Sequence, residues 1–244
     1  MTQFAFGSGA LYALRTDIAP STPLRFGALQ DIQVDFSSDL KELYGQGQYA
    51  LALARGKAKI EGKAKFAQIN GAIFNNLYFG QSLSTTQLVV VQSEAGAVPG
   101  GGGTISAIHA SAFQTDLGVV YAATGAPLTK VASSPAQGQY TVTSGGSYGF
   151  AAGDAGAAVL LNYAYLATTG TEIAITNLPM GQAPMFQAVF TEQFNGKQLT
   201  LQLNACVAAK LTLPTKMDDW SIPELDFQAQ ADAAGNIGSL SLSE

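Results

Sequence analysis

The stretch Ala54-Arg-Gly-Lys-Ala-Lys-Ile-Glu-Gly-Lys-Ala-Lys-Phe66 alternates almost without exception. Arg55, Lys57, Lys59, Glu61, Lys63 and Lys65 occupy the odd positions, and Ala58, Ile60, Ala64 and Phe66 the even ones. Successive side chains of a strand point to opposite faces, so this period of two specifies a β-strand with one charged and one apolar face. A strand this long with Gly56 and Gly62 inside it is expected to bend. Upstream, Ala28-Leu-Gln-Asp-Ile-Gln-Val-Asp-Phe36 repeats the pattern, setting Ile32, Val34 and Phe36 against Asp31, Gln33 and Asp35. The two polar faces are expected to adjoin and neutralise each other, because opposite charges across strands contribute about 0.2–1 kcal/mol per pair.

Beyond this pair the period changes. Phe66, Ile69, Ile73, Phe74, Leu77 and Tyr78 recur at helical spacing, and Gly80 supplies a C-cap, which predicts one helix whose apolar stripe covers a sheet face. Gln87–Gln92 reads as a strand, and Val98-Pro-Gly-Gly-Gly-Gly-Thr104 as a flexible connector. Residues 105–170 carry short strands between turn signals, among them Gln139–Val142, Tyr148–Phe150 and Ala157–Tyr165, with only Asp116, Lys130 and Asp154 charged. From Met185 the alternation returns. Met185–Phe194 and Lys197–Leu203 flank Asn195-Gly196, the strongest short hairpin signal. Ile222–Ala231 and Ile237–Leu242 read as a closing hairpin.

Composition narrows the function. Apolar residues make 47% of the 244, enough for a real core, but charged residues make only 12%, against roughly 25% in an average domain. Interface cores are where charge is depleted, which favours an obligate oligomer. An uncharged monomer kept in solution by Ser, Thr, Gln and Asn is the alternative. The net charge of −5 argues against a protein that grips nucleic acid, although the cations are concentrated early: residues 1–80 hold 8 basic and 6 acidic side chains, residues 81–244 hold 4 and 11. A single cysteine, Cys206, forms no internal disulfide and reads as a small buried hydrophobe. The opening Met1–Gly9 lacks the basic and apolar regions of an export signal, and no apolar run reaches the roughly 18 residues of a membrane helix.

Catalytic patterns fail on context. Gly45-Gln-Gly47-Gln-Tyr-Ala50 fits the dinucleotide pattern in letters, but alternating strand sequence follows it instead of a helix. Gly56 to Gly62-Lys63 is one residue too long for a phosphate loop and has Ala64 where Ser or Thr would hold magnesium. His109 is the sole histidine and reads as a surface or turn residue. Adjacent Asp218 and Asp219 would diverge in an extended segment. Trp220 reads equally as an interface anchor or a core residue.

Several segments together resemble a known family. Phe6-Gly-Ser-Gly-Ala-Leu-Tyr-Ala-Leu-Arg-Thr-Asp17, Pro23-Leu-Arg-Phe-Gly-Ala-Leu-Gln-Asp-Ile32, Lys41-Glu-Leu-Tyr-Gly45 and Gly56–Phe66 resemble the N-terminal half of major tail tube proteins of long-tailed (siphovirus-like) bacteriophages. Met180-Gly181, Asn195–Asn204 and Asp232–Gly238 resemble their C-terminal half. The resemblance implies a mainly β protein: a β-sandwich or partial barrel with one flanking helix, built from residues 1–85 and 171–244, with a β-rich insert at 86–170. It further implies a non-enzymatic virion protein assembled in the bacterial cytoplasm, six copies to a ring, the rings stacked into a tube. Its partners would be further copies and other tail proteins, with DNA only as passing cargo, no membrane, no cofactor and no metal. Asp31, Gln33, Asp35, Arg55, Lys57, Lys59, Glu61, Lys63 and Lys65 are then the candidate lumen or inter-strand charged faces. The rival from another class is a β-sandwich capsid decoration or adhesion module; an enzyme centred on His109 has the least support.

Overall fold

A computed structural model describes residues 4–243, so the opening stretch read above for an export signal lies partly outside them. The chain is mainly β and divides into two compact units, residues 1–82 with 173–244, and residues 83–172.

The first unit holds β1 (Ala10–Arg15), β2 (Leu24–Arg25), β3 (Leu29–Tyr44), β4 (Ala50–Phe66), β14 (Met185–Phe194), β15 (Lys197–Thr212), β16 (Glu224–Gln230) and β17 (Gly238–Leu242). They form one antiparallel sheet in the order β2-β1-β14-β15-β16-β4-β3, with β17 also on β15. The path is open, with β2 and β3 at its ends. The even residues of β4 turn inward as their alternation requires: Ala64 and Phe66 are fully buried beside Phe186, Leu225 and Phe227. Over this face lie α1 (Gly71–Phe74) and a π-helical turn, Asn75–Phe79, which add Ile73, Phe74 and Leu77 to the core.

Gly62 is the tightest point of that inward row, since a Cβ built on it would stand 2.2 Å from the Phe227 ring. Phe227 is buried and has no room to withdraw. Gly62→Val is therefore expected to cost about 1–3 kcal/mol of overpacking strain. Urea unfolding measures it, and a variant as stable as the parent would contradict the packing described.

The helix begins later than its apolar spacing predicts. Phe66 ends β4, opposite Leu29 and with its N–H donated to the Pro223 carbonyl; Ile69 is exposed. Strand and helix periods coincide at Phe66, and the ladder takes it. The helix starts at Asn70, whose Oδ1 accepts the Ala72 N–H at 2.9 Å, so Gly71 sits in the first turn instead of the interior. Gly80 ends the helical segment at φ 66°.

At the C-terminal end, Asn195 and Gly196 adopt φ 49° and 74°, and Phe194 faces Lys197 across a two-residue turn of the primed type. The closing hairpin does not form. β16 and β17 both run antiparallel to β15, β16 along Ala205–Thr212 and β17 along Leu199–Leu203, so they share a direction and cannot pair as a hairpin. The intervening loop closes on Asp232, whose Oδ1 accepts the N–H groups of Ala234 and Asn236, and the chain rejoins β15 further along.

The second unit contains β6 (Gln87–Ala97), β7 (Gly103–Ser106), β8 (Phe113–Tyr121), β9 (Thr129–Lys130), β10 (Gln139–Val142), β11 (Ser147–Phe150) and β12 (Ala158–Ala167); the two-residue strands β5 (Leu83–Ser84) and β13 (Glu172–Ile173) lie where the chain enters and leaves it. Its sheets, β6-β12-β8 and β7-β11-β10-β9, share a core that includes Tyr140, Tyr148, Phe150, Leu161 and Tyr163. Asp116 accepts from the hydroxyls of Tyr140 (2.8 Å) and Tyr148 (3.2 Å) and pairs with Lys130 at 3.1 Å. Asp154, itself buried, accepts from the Tyr121 hydroxyl at 2.6 Å and the Gly138 N–H. All three charges of residues 105–170 are thus bonded within the unit. The tetraglycine is not a connector between units. It lies inside this one, between β6 and β7, and a Cβ on Gly102 would stand 2.7 Å from the Ala152 backbone nitrogen. Glycine is needed there for close approach, not for flexibility.

Candidate assembly surface

β3 and β4 pair far beyond the sheet that holds them. Their ladder runs from Leu29 opposite Phe66 to Tyr44 opposite Ala50, whereas β16 accompanies β4 only from Lys65 to Ile60. The remainder is a two-stranded arm. Every residue from 35 to 59 is exposed except Ala50. A lone hairpin is marginally stable in water at best, and this arm has no core of its own.

A register shift divides the arm's faces. Ser38 stands opposite Ala58, but Leu40 stands opposite Arg55, leaving Gly56 and Lys57 against Asp39. This β-bulge keeps Lys57 on the charged side, where a Cβ on Gly56 would also lie 3.4 Å from Asp39 Cβ. Arg55 is displaced from the charged row in which strict alternation puts it, and shares a face with Leu40. That face continues the core side of the sheet outward through Phe36, Leu40 and Tyr44 on β3 and Leu53 on β4. Phe36 and Leu40 are each 62% exposed, and Leu53 64%.

The opposite face carries the charges. Asp31 pairs with Lys65 at 3.5 Å, as expected of adjoining strands. Lys63, however, turns to β16, reaching Glu224 at 2.9 Å and Asp226 at 3.9 Å. The hydrogen bond from Lys63 holds the Glu224 carboxyl below its ordinary pKa. Gln33 stands opposite Lys63, while Asp35 faces Glu61, a like-charged pair. Among the described residues, Lys57 and Lys59 make no ion pair. β15 adds Lys210, opposite Asp226. On β3, β4, β15 and β16 this face presents six cations (Lys41, Lys57, Lys59, Lys63, Lys65, Lys210) and six anions (Asp31, Asp35, Asp39, Glu61, Glu224, Asp226); past β14 it also carries Arg25 of β2, opposite Tyr12. Toward β14 and β17 it becomes polar and uncharged, with Thr191 opposite Thr200 and Gln202 opposite Ser239.

Sequence reading missed the contribution of β16, although Glu224-Leu-Asp-Phe-Gln-Ala-Gln230 alternates as plainly as β4 does. The other singled-out residues are scattered. His109 stacks on Tyr165 with ring centroids 3.9 Å apart. Cys206 is fully buried, and burial pushes its thiol pKa to about 12. Asp218 and Asp219 lie in the exposed loop before β16, and Trp220 projects from that loop instead of packing in a core. Among the described residues, no group of three or more His, Cys, Asp or Glu side chains is placed to hold a metal, and no helix is long and apolar enough to cross a membrane. Compared with known proteins, the chain matches no protein-family model and no curated sequence.

Proposed function

We propose that this chain is a structural subunit of the phage tail-tube type, which assembles into hexameric rings stacked around a channel for DNA. The reading is carried by the arm: residues 35–59, two paired strands and the turn that joins them, with Phe36, Leu40, Tyr44 and Leu53 exposed along one face between Ser38, Glu42 and Arg55, and no core of their own. Covering Phe36, Leu40, Tyr44, Leu51 and Leu53 at about 1.5–3 kcal/mol for each fully buried side chain gives roughly 5–10 kcal/mol, allowing for their partial cover already. Association costs of about 4–15 kcal/mol absorb most of that, so one arm contact is weak and a closed ring, which satisfies every arm at once, is favoured.

The opposite face suits a channel wall. Uncompensated cations would bind phosphates and retard passage, whereas the six cations balanced by six anions on β3, β4, β15 and β16 offer a wetted surface with no net attraction. Light scattering and negative-stain microscopy of the purified protein test the assembly; a strictly 25 kDa species at high concentration, with or without preformed tail complexes as initiators, counts against it. Duplex-DNA binding tests the wall. Little binding is expected at low or moderate salt, and Lys57, Lys59 and Lys63→Gln together should change it little. Tight, steeply salt-dependent binding lost in that triple variant would mean that the face grips DNA.

A further inference from the structure

Trp220 is the chain's only tryptophan, and it is 82% exposed. It does not stand on a loose loop. The Ser221 hydroxyl donates to the Pro214 carbonyl, closing the turn; Lys216 pairs with Asp219 at 2.7 Å; and Asp219 Oδ1 accepts the Trp220 N–H at 2.8 Å. Met217 is almost fully exposed in the same turn. The turn that presents these two large apolar side chains is therefore fixed by three polar ties, which lowers the backbone ordering entropy left to be lost on docking.

The same unit contains a receptor of suitable size and chemistry. A cavity of about 730 Å³ has Phe79, Leu178, Pro184 and Met185 in its walls, with Arg15 and Asp17 at its polar side. Arg15 donates to Asp17 through Nε (2.9 Å) and Nη2 (2.6 Å), which fixes the guanidinium plane and cancels its charge locally. An indole entering there strands no ion and meets a planar guanidinium, a group that stacks on aromatic faces. The cavity over β4 and β16, about 450 Å³, is lined instead by Asp35, Glu61, Lys63 and Asp226 and would desolvate charge.

We infer that the Met217–Trp220 turn of one copy docks into the Arg15–Asp17 cavity of a second copy. The contact joins two different patches and is heterologous, the kind that propagates into rings or filaments. The inference rests on the assembly proposed above and names one of its contacts.

With one tryptophan, fluorescence reads this contact directly in the full-length protein. Emission is expected to shift to the blue as concentration drives assembly, in step with light scattering. Trp220→Ala, which removes only an exposed side chain, should weaken self-association at least about 30-fold, as an interface anchor does. Ala183→Tyr, an exposed position on the cavity wall, should weaken it comparably and leave Trp220 emission solvent-like. Assemblies whose tryptophan still emits as in solvent would overturn this inference and leave the assembly reading standing. A blue shift with Ala183→Tyr assembling normally would overturn the cavity as receptor. A chain that never assembles removes both.

Discussion

Replacing residues 39–57 by Asn-Gly, so that Ser38 turns directly into Ala58, is expected to abolish self-association while leaving the first unit as stable as before. The two ends stand opposite each other in the ladder, and Asn-Gly supplies the primed turn such a closure needs. What is removed buries almost nothing: Leu40, Leu43, Tyr49, Leu51 and Leu53 are all largely exposed, and the buried row of β4 resumes only at Gly62, Ala64 and Phe66. The free energy of unfolding should therefore stay within the roughly 0.5 kcal/mol typical of surface changes. Assembly, which relies on the apolar row, should fall below detection by light scattering. A shortened chain that still forms rings would show that the arm is dispensable and would withdraw the observation on which the proposed function stands. A shortened chain that fails to fold would show that the arm stabilises its own unit.

The second large effect is alkaline unfolding of the second unit. Tyr140, Tyr148 and Tyr163 are buried there, and burial raises all three pKa values, helped by Asp116 beside the first two and by the Glu94 hydrogen bond to the third. Tyr163 is pushed up to about 12, and the other two higher. Because the folded values lie above the unfolded one, the contribution of these hydroxyls is fully present below about pH 10 and declines as pH rises toward the folded values. At pH 11 each tyrosine favours the unfolded form by roughly 1 kcal/mol, so the three together remove a few kcal/mol, a large part of a stability that is usually about 5–15 kcal/mol. Tyrosinate absorbance should rise first from exposed residues such as Tyr49 and then in a second, cooperative step that coincides with loss of near-ultraviolet circular dichroism. Tyr148→Phe should reduce the steepness of that step by about a third. A single gradual rise with the dichroism intact to pH 12 would mean that these hydroxyls reach solvent.

Much of this fold was legible in local pattern. The period of two in Ala54–Phe66 made β4 a two-faced strand, Asn195-Gly196 set the register of β14 and β15, and Gly80 ended the helical turn, because each signal acts between near neighbours through backbone sterics and side-chain direction. The signals failed where a residue satisfied two periods or where a distant strand intervened. Phe66 belongs to both the strand and the helix by spacing, and the ladder to Leu29 claimed it. Asp232–Asn236 looks like a hairpin turn, but the competing attraction of β15, whose free edge accepts both β16 and β17, kept the chain running forward.

The charged face divides in the same way. Its alternation, its sparse charge and its concentration of lysines were written in the order of residues. Which acids meet which lysines was not, because salt-bridge partners are set by strand order: Lys63 lies 2.9 Å from Glu224, 161 positions away along the chain, and Arg55 leaves the row through a one-residue bulge that no period announces. The primary structure dictated that these strands have a polar and an apolar side. Only the tertiary structure decided that the apolar side runs past the end of the core and is left uncovered, since burial is a property of how far neighbouring strands extend, and β16 stops where β3 and β4 continue.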